Sequence, residues 1–500
     1  MPPKPAPDKM QDLEQWLWAA ANILRGPVDQ GDFKAYIFPL LFLKRLSDVY
    51  DEEFAEALEL SGNDEEFAQL EEQHRFQIPE GAHWKDIRAV NTNVGTAIER
   101  SMRTIERANP GNLFQIFGDV QWTNKARLPD SLLRNLIEHF SSKNLSASTV
   151  PNDMLGDAYE YLIKRFADKS RKTAGEFFTP RSVVELLINI LDPKPGETIY
   201  DPSCGSGGML IESVKHVKEE GGDPRLLFGR IYGQEKNLNT ASMARMNLIL
   251  HGMEDFSIAT GDTLREPQFV QRDTLMTFDC VIANPPFSLK AWGEDLWEHD
   301  RWGRNIAGTP PAASGDWAWL QHMICSMSVG TGRMAVVLPL GALFRGQSEG
   351  RIRNAVIDMD IIDTVIELGP NLFYGTTIPA SIVVARTKKS KARKGSIQFV
   401  NASDLFRTGR NQNTLEPEHI QEIFGLYSGH SDVDLYSRVV PLEEVKKNGG
   451  DLSPGKYVTK HVAEVLPSVD EAMSALRAAA AAVKESEQRV LRLLKERGLL

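Results

Sequence analysis

The 500-residue chain is long enough for two or three domains with full-sized cores, and its 42% hydrophobic and 25% charged residues are the balance of an ordinary globular protein. Its formal net charge of −11 excludes a global attraction to nucleic acid, because the sequence-independent part of DNA affinity comes from Lys and Arg neutralising phosphates. Three cysteines, Cys204, Cys280 and Cys325, stand in no CxxC or CxxH pairing, which argues against a disulfide framework and a structural zinc site.

The opening MPPKPAPDKM lacks the apolar core of a secretory signal, and no apolar run reaches the roughly 18 to 20 residues that span a bilayer. A cytoplasmic protein away from membranes is expected. Residues 1–150 then read as a helical domain. LEQWLWAAANILRG and FKAYIFPLLFLKRLSDVYDEEFAEALEL carry apolar residues at i, i+3, i+4 spacing, and Gly26 and Gly62 punctuate them.

From about Pro151 the texture changes to short Ile-, Val- and Tyr-rich runs separated by helix-length segments. ETIYD, RIYGQE, FSIATGD, FDCVIAN, RMAVVLP, IIDTVIEL and ASIVVAR predict seven strands of a doubly wound α/β sheet buried on both faces. After Thr387 a basic turn, KKSKARKG, leads into a mixed segment that closes this second domain at residue 466. Residues 467–500 predict a helix of about nine turns with Asp470 as N-terminal cap. Its narrow Leu/Val stripe points to packing on a partner, with folding back over its own domain as the alternative.

The chemistry gathers at predicted strand ends. ETIYDPSCGSGGM is a strand, a Gly-rich loop and a helix start, with Asp201 at the strand end and Gly205, Gly207 and Gly208 letting backbone approach a ligand. No Lys-Ser or Lys-Thr follows, and Leu210 stands where a dinucleotide fingerprint needs its third glycine, so neither phosphate-binding loop is met. The second and third strands end near Glu235 and Asp262. Each acid alone reads as a solvated strand end; three at one edge suit a ligand carrying an amine, a ribose and an adenine, as S-adenosylmethionine does. The fourth strand delivers Asn284, Pro285, Pro286 and Phe287 to the same edge. The prolines fix φ and carry no N–H, so the Asn284 side-chain oxygen and the Pro285 carbonyl form two acceptors for one planar amine. Phe287 offers its ring a flat face.

These motifs resemble those of N6-adenine DNA methyltransferases: DPSCGSGGM, then NPPF, with GEFFTP at Gly175 to Pro180. With LWAAANILRG, FPLLFLKRLSDVYDEEF, LFYGTTIPASI and NASDLFRTGRNQNTL added, the chain is similar to the modification (M) subunit of type I restriction-modification systems from about Met10 to Val458. The resemblance implies a Rossmann-like, S-adenosylmethionine-dependent methyltransferase catalytic domain over 151–466, acting on the N6 amine of a flipped-out adenine in double-stranded DNA. It implies that Glu176, Phe177, Phe178, Thr179 and Pro180 flank the cofactor methionine. Asp201, Ser203, Gly205, Ser206 and Gly207 would wrap its carboxylate and amine, Glu235 its ribose, and Asp262 with Thr263 its adenine. Asn284, Pro285, Pro286 and Phe287 would hold the target adenine, with Phe373 and Tyr374 as a second aromatic wall. Met209 stands where many relatives carry an aromatic residue, on what reads as the helix-facing side.

S-adenosyl-L-homocysteine would be the product, with no metal needed. Only about 110 residues follow the seventh strand, which with the acidic charge leaves little room for target readout; the resemblance implies that a separate specificity (S) subunit reads the DNA, with two copies of this chain expected per S subunit and a restriction (R) subunit as an optional further partner. Arg301, Arg304, Lys389, Lys391, Arg393 and Lys394 are candidates for a DNA path, although a solvated surface turn is the favoured reading of the last four. The same clamp chemistry serves protein glutamine or RNA base methyltransferases, and a non-catalytic scaffold of a DNA complex is the rival of another class.

Overall fold

The computed structural model describes residues 7–111, 113–169, 179–373, 376–410, 412–459 and 469–497. The longer helices and the strands of the main sheet follow in chain order, leaving aside a short two-stranded ribbon of Val270–Gln271 and Thr274–Leu275, as α1 (Pro7–Ile23), α2 (Phe33–Ser61), α3 (Val94–Ala108), α4 (Asp130–Ser141), α5 (Asn152–Lys169) and α6 (Arg181–Leu191), then β1 (Ile199–Asp201), α7 (Gly208–Glu219), β2 (Ile231–Glu235), α8 (Leu238–Leu250), β3 (Ser257–Thr260) and β4 (Cys280–Ala283). The rest are α9 (Asp316–Cys325), β5 (Arg333–Pro339), α10 (Gln347–Asp358), β6 (Ile362–Leu368), β7 (Ala380–Arg386), β8 (Ser396–Ala402), α11 (Pro417–Gly429), β9 (Ser437–Pro441) and α12 (Val469–Glu496). Residues 1–458 form one unit and 459–500 a second.

Helices α1 to α5 share a core in which Leu17, Phe38, Phe42, Leu136 and Tyr159 are buried, and Met243, Met246 and Leu250 of α8 belong to the same core. The helical region is therefore welded to the sheet region through one face of α8, since apolar area removed from water on both sides holds the two together.

The sheet has nine strands in the order β9-β8-β6-β7-β5-β4-β1-β2-β3, all parallel except β7, antiparallel to both neighbours, and β9, antiparallel to β8. Along β5 the side chains alternate between two apolar layers, Met334, Val336 and Leu338 on one face and Ala335 and Val337 on the other. That is the pattern of a strand covered by helices on both sides. All seven expected strands are present, but the expected count of seven is corrected to nine. The mixed segment hides β8 and β9 because β8 buries polar side chains. Gln398 is fully buried, donating to the Leu426 carbonyl at 2.7 Å and to Ser437 Oγ at 3.0 Å, so the strand does not read as apolar.

The basic turn is likewise corrected. Lys389 is buried, with its ammonium 2.7 Å from Asp360 and donating to the carbonyls of Ile362 and Ser396, while Arg393 pairs with Asp363 at 2.7 Å. These two cations hold the ends of β6 and β8 rather than lie open for DNA.

Helix α12 begins at Val469, so Asp470 sits inside its first turn instead of capping it. Leu476, Val483 and Val490 recur every seven residues and are 62%, 68% and 55% exposed. Among the described residues no helix is long and apolar enough to cross a membrane.

Candidate active site

The parallel register aligns four strand ends. Asp201 pairs with Gly233, Tyr200 with Val281 and Glu235 with Thr260, so the loops leaving β1, β2, β3 and β4 emerge at one edge of the sheet. β1 lies between β2 and β4, where the strand order reverses, and the crevice outside such a switch point is where open α/β sheets bind ligands.

β1 stops at Asp201 because Pro202 has no N–H to continue the ladder. The Asp201 carboxylate is buried and accepts the Ser203 N–H at 2.9 Å. Burial pushes its pKa up to about 7, against the pull of the Ser203 N–H and with a further push from nearby Glu235. The glycine turn needs left-handed backbone at Gly205 (φ +52°) and Gly207 (φ +81°), and a Cβ at Gly205 would meet only open space. Glu235 accepts the Gly205 N–H at 3.2 Å and the Asn237 N–H at 2.8 Å, and the Thr263 hydroxyl donates to the Pro202 carbonyl at 2.6 Å. In this state both residues brace the loop. Asp262 pairs with Lys236 at 2.9 Å.

At the end of β4, Asn284 Nδ2 donates to Thr179 Oγ1 at 2.9 Å, while Asn284 Oδ1 is buried and has no hydrogen-bond partner among the described residues. Beyond the prolines, Ser288 turns with φ +50° and its N–H donates to Asp316 at 2.7 Å, which ties the clamp loop to α9. Phe287 is half-buried and meets the buried Phe373 edge-on, ring centroids 5.9 Å apart at 65°. Phe373 thus backs Phe287 from within the core. Glu176, Phe177, Phe178 and Tyr374 lie outside the described residues.

A cleft of about 640 Å³ opens at this edge, within the usual range of small-molecule sites. Of the sequence-predicted residues, it brings together Thr179, Pro180, Asp201, Ser203, Gly205, Ser206 and Asn284. Gly207, Glu235, Asp262, Thr263, Pro285, Pro286, Phe287 and Phe373 are not on its wall. Met209 is, while its side chain also belongs to the apolar core that includes Val183, Leu186 and Leu187 of α6.

Sequence reasoning missed much of the wall, including Met10 and Glu14 of α1, Asp157 and Glu160 of α5, Glu212 of α7 and the 412–416 loop. No local signal marks the helical ones, which arrive by packing. The loop lay within the family signature but carried no assigned role. Asn247 of α8 was also missed. Fully buried, it donates from Nδ2 to the Ser206 carbonyl at 3.0 Å and leaves Oδ1 without a partner among the described residues. Its own carbonyl accepts the Nδ1–H of His251, whose pKa burial depresses to about 4. Asp157, Glu160 and His251 stand at metal-ligand spacing, but the Lys215 ammonium already lies 2.9 Å from Asp157 and 3.8 Å from Glu160.

Residues 150–464 match the family model of the N-6 DNA Methylase, and residues 13–140 match the HsdM N-terminal domain. The chain is 30% identical over 478 residues to the type I restriction enzyme MjaIX methylase subunit of Methanocaldococcus jannaschii, covering 89% of this chain and 84% of that one. It is 36% identical over 357 residues to the MjaVII methylase subunit of the same organism, 69% of this chain but 59% of that relative's length. The crystal structure of a type I restriction-modification system methyltransferase subunit from Streptococcus thermophilus matches with a TM-score of 0.77 at 30% identity, over 90% of this chain and 99% of that one.

Proposed function

The chain belongs to the N-6 DNA methylase family, and from that premise we propose that it moves a methyl group from S-adenosyl-L-methionine to the N6 amine of a flipped-out adenine in double-stranded DNA. It does so as the modification subunit of a type I restriction-modification complex in the cytoplasm, two copies bound to one specificity subunit, with a restriction subunit as a further partner. Residues 1–150 are the helical domain, 151–466 the catalytic domain and 467–500 the partner helix; the two matched stretches, 13–140 and 150–464, support the first boundary.

The observation that carries the reading is the buried Asn284 Oδ1 at the mouth of the switch-point crevice, which has no partner among the described residues. A buried acceptor without a donor costs about 1–3 kcal/mol, and a planar amine arriving from the substrate removes that cost. With the Pro285 carbonyl as second acceptor, both amine hydrogens are held and the nitrogen lone pair leaves the base plane. The adenine must first leave the duplex, at a cost of a few kcal/mol offset by stacking on Phe287. Alignment of the amine is then the main catalytic contribution, and its extra proton leaves after transfer.

The cleft suits the cofactor, which supplies an activated methyl group when bound. Asp201 faces the cleft, and Asn247 Oδ1 is a spare acceptor on its wall for the amino-acid end. Glu235 and Asp262, off the wall now, take the ribose and adenine once the loops around them adjust. Because the Asp201 pKa is raised to about 7, its charge is complete only above that pH. If that charge holds the cofactor ammonium, affinity rises by about tenfold per pH unit below the Asp201 pKa and levels off above it. Calorimetric titration of the cofactor across pH checks this, and an unchanged slope in Asp201→Asn would remove Asp201 from the ammonium site.

The activity itself is tested by transfer of radiolabelled methyl from S-adenosyl-L-methionine to duplex DNA, with the chain alone and with its co-expressed specificity subunit. Labelled N6-methyladenine in the second reaction only is the expected result. Cofactor binding without label in either would return protein glutamine or RNA bases as substrates, and absence of binding would leave a scaffold.

A further inference from the structure

We propose that Thr179 is a positioning residue of the amine clamp, its hydroxyl oxygen holding the Asn284 carboxamide so that Oδ1 faces the reacting amine. The inference deepens the methyl-transfer reading above and rests on it. Thr179 was expected to flank the cofactor methionine, and it does line the cleft. Its recorded hydrogen bond, however, goes to the clamp, Asn284 Nδ2 to Thr179 Oγ1 at 2.9 Å.

A carboxamide is chemically two-sided, an acceptor at one end and a double donor at the other. Only the acceptor end can meet the hydrogens of an exocyclic amine, so the donor end needs an acceptor behind it. Among the described residues the acceptor it finds is the Thr179 hydroxyl oxygen. Thr179 reaches in from the segment just before α6, 105 positions earlier in the chain. A hydroxyl can itself serve either end of a carboxamide, so Thr179 fixes the rotamer of the side chain but does not by itself choose which end faces the amine. The substrate does: with the amine present, Oδ1 turns to it and Nδ2 rests on Thr179 Oγ1. Accepting that hydrogen also polarises the amide and strengthens its far end as an acceptor. The Thr179 methyl group has no part in this, which makes the side chain divisible by mutation.

The test uses the full modification complex. Thr179→Val keeps the shape and removes the oxygen; Thr179→Ser keeps the oxygen and removes the methyl. In Thr179→Val, kcat for DNA methylation is expected to fall at least tenfold, with KM for DNA and the cofactor dissociation constant within twofold of the parent. Thr179→Ser is expected to restore kcat to within about threefold. A raised cofactor dissociation constant with kcat unchanged would make Thr179 a cofactor contact and overturn the proposal, as would equal kcat in the valine and parent chains. Crystal structures of the two variants read the same point without turnover. An Asn284 carboxamide that keeps its rotamer in Thr179→Val overturns the proposal even if the parent methylates nothing, an outcome that would separately sink the methyl-transfer reading.

Discussion

Asn284→Ala is expected to lower methyl transfer by a factor of about 10² to 10³ or more, while cofactor affinity stays near that of the parent. The asymmetry follows from what each atom touches. Asn284 Oδ1 has no partner among the described residues, so all that the resting protein loses with the carboxamide is the Nδ2 hydrogen bond to Thr179 Oγ1. In the transition state the same atom accepts a hydrogen from an amine that is becoming positively charged, and a hydrogen bond to a charged donor in a water-poor site is about twice as strong as a neutral one. Removing it therefore acts on the transition state and hardly on cofactor binding, which rests on the loop after β1. The measurement is a single-turnover rate at saturating cofactor beside a calorimetric dissociation constant. A rate within a few-fold of the parent would end the assigned role of Asn284. A matched loss of rate and cofactor affinity would mean instead that the carboxamide supports the cofactor pocket as a whole.

Much of this site was legible in the sequence because its chemistry sits at strand ends, where local rules are strong. A strand that runs into Pro202 or Pro285 must stop, and parallel strands with common register place their last residues at one edge. Asp201 and Asn284 could therefore be put together across 83 positions without knowing the packing. What escaped obeys non-local rules. Glu14 and Asp157 reach the cleft because α1 and α5 share a core with α8, and no residue in either helix announces that. Asn247 reads as one of five polar residues in its helix, with Asn239, Thr240, Ser242 and Arg245, and its bond to Ser206 exists only after α7 and α8 have packed. β8 was hidden by the polar side chains it buries, and Lys389 passed for a surface cation until the acid and carbonyls around it were placed. Charge in a sequence suggests water; in the fold it can equally mark an internal tie.

Arg304 tests that last point most sharply, since basic residues near a clamp loop invite assignment to a DNA path. Its side chain is 2% exposed and lies 2.6 Å from Asp300, itself 1% exposed. The guanidinium also donates to the Thr263 and Leu264 carbonyls at 2.8 and 2.9 Å and lies over the Trp297 and Trp302 rings at 4.6 and 4.9 Å. It therefore fixes the turn just after Asp262 while being closed to phosphate. Arg304→Ala leaves Asp300 charged and buried, for which the expected cost is about 3–5 kcal/mol. The cost reads as a fall in the urea midpoint with little change in slope, and a lysine at the position should recover only part of it, having no planar fork to share among carboxylate and carbonyls. Replacing both partners, Asp300→Leu with Arg304→Met, should recover more than lysine does, because the penalty lies in the orphaned charge and not in the absence of the pair. A DNA contact predicts the reverse pattern: an unmoved urea midpoint, weaker DNA binding and a shallower dependence of that binding on salt. That second pattern would return Arg304 to the surface and with it the possibility that this acidic chain grips DNA through its own clamp loop.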